Sequence, residues 1–140
     1  MRPLLLTILA LLAAPAAASA EKLKGSTSQG RKASLTTDAD GVAKKAEVGW
    51  KADCSGDATL TDTTGITFGD DGDLIVVDDY TINDDNGIKI DVSFSYKAKR
   101  KGAGSYKGDF RATGVVRRNG KKIDTCKTPK ITFSVTGAVG

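Results

Sequence analysis

The residue types and spacings that could do chemistry fall into a few groups. Asp70-Asp71-Gly72-Asp73 and Asp78-Asp79, with Asp84-Asp85-Asn86 behind them, put carboxylates into turn sequences, and calcium prefers such hard oxygen donors. The helix-loop-helix calcium pattern needs a glutamate downstream, but Glu21 and Glu47 are the only glutamates and both lie upstream. A calcium site here is expected only as a two-loop arrangement of Asp70, Asp71, Asp73, Asp78 and Asp79; no other cofactor is expected. The same residues are also ordinary turn formers. Paired carboxylates could serve glycoside hydrolysis, which needs two inward acids about 5–10 Å apart. Glu47, Asp53, Asp91 and Asp109 fall instead on the polar faces of separate strands, and nothing selects two of them.

Basic residues form the other group. Lys97, Lys99, Arg100 and Lys101 crowd one turn, and Arg117, Arg118, Lys121 and Lys122 crowd another. As one basic hairpin face they would attract an anionic cell-envelope polymer, lipid headgroups or nucleic acid. Nucleic acid is the least favoured, because Tyr96 and Tyr106 fall in apolar registers and leave no interleaved aromatics to stack on bases. The clusters also read as solvated hairpin ends that discourage edge aggregation. Composition excludes more. With no histidine there is no Ser-His-Asp or Cys-His nucleophile and no imidazole metal site. Two cysteines cannot form a cysteine-only zinc site.

The elements that must position these groups begin after a leader. Arg2, the apolar run Leu4–Leu12 and Ala18-Ser19-Ala20 have the layout of a signal peptide over 1–20, cleaved before Glu21. The product is expected to be a secreted or periplasmic protein with no transmembrane segment in residues 21–140; the alanine-rich cleavage region is bacterial in style. An oxidising compartment then favours a Cys54–Cys126 disulfide. Their separation is nothing like a C-x-x-C redox pair. Closing a loop of that length contributes about 4 kcal/mol in the chain-entropy picture.

Period-two alternation dominates the rest. Ala46, Val48, Trp50, Ala52 and Cys54 form one face of a strand; Ile88, Ile90, Val92, Phe94, Tyr96 and Ala98 form another. Tyr106, Gly108, Phe110, Ala112 and Gly114 follow, then Ile131, Phe133 and Val135. Trp50 is thereby core rather than a sugar-stacking platform. Asp40-Gly41, Asn86-Gly87 and Asn119-Gly120 are hairpin turn sequences, with further reversals at Asp71-Gly72 and Gly102–Gly104. The expected strands are Lys24–Thr37 (broken near Gly30), Val42–Cys54, Ala58–Thr63, Ile66–Phe68, Leu74–Ile82, Ile88–Lys99, Tyr106–Arg117 and Lys130–Thr136. Leu74–Val77 reads as a run able to be buried on both faces. With no amphipathic helix, residues 21–140 are expected to form a single all-β domain, an antiparallel β-sandwich or small barrel with one disulfide.

Charge is divided along the chain. Residues 52–95 hold eleven aspartates and one lysine, a net of −10, whereas 96–140 hold twelve bases and two acids, a net of +10. Whether these stretches interleave or form poles is left to the tertiary structure.

Gly25-Ser26-Thr27-Ser28-Gln29-Gly30, the Trp50 strand ending in Cys54-Ser55-Gly56, and Tyr106-Lys107-Gly108-Asp109-Phe110 before Cys126 together carry a resemblance. The chain resembles a group of uncharacterised exported bacterial β-sandwich proteins with a TSQG opening and two cysteines. It departs from them after the second cysteine, where Cys126-Lys127-Thr128-Pro129 and Phe133 stand in place of a glycine and a tryptophan. The resemblance implies the fold and no activity. The functional expectation is an exported non-catalytic binding or structural domain, with an anionic envelope polymer as candidate ligand. The alternative is a calcium-dependent carbohydrate-binding module or a glycan-active enzyme using the Asp-rich loops.

Overall fold

The computed structural model describes residues 20–84 and 86–137; the expected leader lies outside these apart from Ala20. Among them there is no helix, and hence none long and apolar enough to cross a membrane. The strands are β1 (Glu21–Thr27), β2 (Lys32–Thr37), β3 (Ala43–Cys54), β4 (Thr59–Thr67), β5 (Ile75–Asn83), β6 (Ile88–Gly102), β7 (Ser105–Arg118), β8 (Lys121–Lys127) and β9 (Ile131–Thr136). All pairings are antiparallel, in the order β4-β3-β2-β1-β9-β7-β6-β5.

β8 closes this path. β7 is long enough to pair β9 through Ser105–Phe110 and β8 through Thr113–Arg118. At the end of β3, Asp53 and Cys54 pair Lys127 and Cys126. Hydrogen bonding therefore runs round a ring, β3-β2-β1-β9-β7-β8. β4, β5 and β6 lie outside the ring, and the outer edges of β4 and β5 are unpaired. The result is sandwich-like, with Trp50 of β3 meeting Phe110 of β7 across the core. Cys54 and Cys126 stand opposite each other and are bonded, as an oxidising compartment favours. Ser55 N–H donates to the Thr125 carbonyl just beyond them, so theirs is a non-hydrogen-bonded pair, the position where side chains come closest.

The alternation places the core as read from the sequence. Val48, Trp50, Ala52, Val92, Tyr96, Phe110, Ile131 and Val135 are all buried. Gly108 is required by packing: a Cβ there would meet the Lys97 carbonyl and the Phe133 ring.

Several local expectations are corrected. Lys24–Thr37 is broken near Gly30 as expected, but the two pieces expected over 58–68 are one strand, β4. β8 was not expected, because Lys121–Thr125 lacks an apolar alternation and Ile123 is exposed. Leu74–Val77 is not buried on both faces: Ile75 is 55% and Val77 77% exposed, because β5 is an edge strand with one face outward.

Candidate functional site

Outward positions on β6 and β7 alternate with the buried ones, and the strand register decides which of them meet. Lys99 lies opposite Lys107, Lys107 opposite Ser134, Ser134 opposite Ser26, and Ser26 opposite Lys32. One lateral row thus crosses five strands, with lysines at both ends and serines between. At the usual strand spacing it is about 19 Å long. In the next row Ser105 lies opposite Thr136, Thr136 opposite Lys24, and Lys24 opposite Ser34. The four lysines are exposed, and none has an acidic partner within ion-pair distance among the described residues. Shallow depressions open on this face, two of them beside the lysines. One, of about 470 Å3, is lined by Ser26, Ser28, Lys107, Thr132 and Ser134. The other, of about 490 Å3, is lined by Lys22, Lys24, Lys32, Ser34 and Glu47.

The basic candidates read from the sequence do not form a single hairpin face, and that expectation is corrected. Lys97, Lys99, Arg100 and Lys101 lie where the β6–β7 hairpin turns; Arg117, Arg118, Lys121 and Lys122 lie where β7 turns into β8. These are opposite ends of β7, roughly 40 Å apart for a strand of this length. Within the first cluster, Lys99 joins the lysine–serine row. Lys97 sits opposite Asp109, and Arg100 Nε donates to the Gly102 carbonyl at 3.3 Å. At the far end Lys89, Arg117 and Lys122 are in register across β6, β7 and β8. There Arg117 Nε also donates to Asp91 at 3.3 Å. Lys24, Lys32 and Lys107 were missed. Only the pairing of β1 with β9 brings the first two beside the hairpin.

The oppositely charged stretches do not form poles. The Asp70–Asp73 turn lies at the hairpin end, where Ala98 N–H donates to the Leu74 carbonyl. Asp84 lies at the other end, where its N–H bonds the Ile88 carbonyl.

Four of the five calcium candidates make local contacts. Asp71 accepts the Asp73 N–H, Asp73 the Ile75 N–H and Asp78 the Asp79 N–H, while Asp70 meets Lys44 Nζ at 3.4 Å. Asp79 faces outward opposite Ser93. Among the described residues no group of three histidine, cysteine, aspartate or glutamate side chains is placed to hold a metal.

Asp62 ends a chain of side-chain hydrogen bonds that reaches into the core. Trp50 Nε1 donates to Thr64 Oγ1 at 2.8 Å, and Tyr80 OH donates to Asp62 at 2.7 Å. Thr64 must then use its proton on the Tyr80 oxygen, 2.8 Å away. This chain of bonds ties the open edges of β4 and β5 together. Burial first, then the Asp62 bond, raises the Tyr80 hydroxyl above its ordinary pKa.

Thr27-Ser28-Gln29-Gly30 is a turn knitted into three strands. Thr27 Oγ1 accepts from Gln29 and Arg31 N–H, Ser28 Oγ accepts from Thr132 N–H, and the Gln29 amide reaches Lys51 on β3. Compared with protein-family models, curated proteins and solved structures, the chain matches none.

Proposed function

We propose that this chain is an exported, non-catalytic domain that binds an anionic polysaccharide across the outward face of β6, β7, β9, β1 and β2. The observation that carries this reading is the row Lys99–Lys107–Ser134–Ser26–Lys32. Like charges directly opposite on neighbouring strands destabilise a sheet, and Lys99 and Lys107 are so placed. An anion laid between them removes that repulsion, and the serine hydroxyls between the lysines can donate to carboxylate or sulfate oxygens. Trp50, Tyr96 and Tyr106 are buried, so recognition rests on charge and hydroxyls rather than on stacking. The disulfide supports an extracytoplasmic setting.

Heparin serves as the probe. Affinity should fall steeply between low and physiological salt as bound counterions are released. Replacing Lys24, Lys32, Lys99 and Lys107 together by serine should weaken binding by at least about tenfold, roughly 1.4 kcal/mol. The far-ultraviolet circular dichroism melt should be retained or rise, because the substitutions remove the Lys99–Lys107 repulsion. Affinity indifferent to salt, or unchanged in the quadruple variant, rejects the reading. Duplex DNA bound as tightly as heparin at equal charge would replace polysaccharide by nucleic acid as the ligand class.

A further inference from the structure

The β6–β7 hairpin carries cationic groups at both ends. Lys99 and Lys107 face each other near the hairpin tip, and Lys89, Arg117 and Lys122 line up across three strands near the other end. Both arrangements set like charges in register, which costs stability at each end. Between them the outward positions are Ser93, Ser95, Val115, Thr113 and Arg111. An acid stands at the border of each cluster: Asp109, opposite Lys97, and Asp91, bonded to Arg117. Lys89 and Lys99 are ten positions apart on one strand, about 33 Å at the usual rise. That is about four Debye lengths at physiological ionic strength, so an anion held at one end leaves the field at the other almost unchanged.

Resting on the polysaccharide reading above, we infer that the domain is bivalent: each end of the hairpin holds its own anionic chain, and one molecule bridges two polymers. The rigid β6–β7 ladder, paired continuously from Ile88–Arg118 to Arg100–Tyr106, keeps the two ends apart, so they do not converge on one short ligand segment.

The test loads the protein on immobilised heparin and then offers soluble fluorescent heparin. The wild-type chain should capture the soluble polymer. The triple variant Arg118→Ser, Lys121→Ser, Lys122→Ser spares Arg117 and its bond to Asp91. It should still load, within about threefold of wild type, yet capture at least about tenfold less soluble heparin, since only one end is left to bind. Capture by this variant equal to wild type overturns bridging while heparin binding stands, and it would also expose capture through self-association. Failure of the wild type to load at low salt overturns the polysaccharide reading and this inference together. Circular dichroism melts no lower than wild type show that the substitutions leave the fold intact.

Discussion

The side-chain amide of Gln29 pairs with the main chain of Lys51 in both directions. Its Nε2 donates to the Lys51 carbonyl at 2.8 Å, and its Oε1 accepts the Lys51 N–H at 2.9 Å. β2 pairs with β3 as far as Val48, and β8 takes it up again at Asp53. Gln29 fills the interval as a strand residue would. Gln29→Ala should therefore destabilise the domain by about 0.5–1.5 kcal/mol, the net worth of a typical hydrogen bond, because the Lys51 groups left behind are exposed to water. Gln29→Glu keeps the acceptor and loses the donor, so it should fall between. Urea midpoints for the two variants within error of wild type would show that water serves Lys51 equally well.

Tyr96 behaves in the opposite way. Its hydroxyl is buried without a hydrogen-bond partner, and burial, followed by the nearby Tyr106, raises its pKa above the ordinary 10.0. Removing an unpaired buried hydroxyl relieves a penalty, so Tyr96→Phe should match or exceed wild-type stability at neutral pH, by up to about 1 kcal/mol. A folded-state pKa above the unfolded one means that the unfolded chain releases its proton first as pH rises. Stability is thus full below about pH 10 and falls above it, and Tyr96→Phe should flatten that fall. Denaturant curves at pH 8 and pH 11 check both parts; a clear loss at pH 8 would refute the first.

Asp124 contributes to the acid limb. Its carboxylate accepts the N–H groups of Thr125 and Ser55, and the Thr125 bond leads in holding its pKa below 3.8, with the Ser55 bond adding to it. Above the ordinary carboxylate range the folded state keeps this charge with its donors, so stability is present there. It is lost as pH falls through the depressed value, because the unfolded chain takes up the proton first. Asp124→Asn should lower the melting temperature at pH 7, with the gap to wild type closing as pH falls below the ordinary carboxylate range. A gap that persists undiminished at pH 2.5 contradicts this account.

Asp78 guards an edge. It lies on the same side of β5 as Val76 and Tyr80, opposite Phe94, yet it is exposed because nothing pairs with β5 beyond it. A charge on the inner side of an edge strand obstructs pairing with a second chain. With Ile75 and Val77 exposed beside it, Asp78→Val should produce concentration-dependent self-association. Sedimentation would detect it; a variant as monodisperse as wild type at every concentration would assign the protection to other residues.

Much of this protein was determined by its sequence. Strict alternation from Ala46 to Cys54 and from Ile88 to Ala98 specified which side chains are buried, since a strand turns successive residues to opposite faces. Asn119-Gly120 specified a tight turn, and both residues adopt positive φ there. The disulfide was readable because the chain offers only one pair. Other features were settled by the tertiary structure, because alternation within a strand carries no information about its neighbours. Lys24 and Lys32 become neighbours of Lys107 only through the β1–β9 and β1–β2 pairings. The basic clusters separate because β7 runs straight between its two turns, and β8 forms by completing a hydrogen-bonded ring rather than by burying an apolar face. The +10 and −10 stretches of the sequence are brought to the same two ends of the fold, because antiparallel neighbours return each strand to the level at which its partner began.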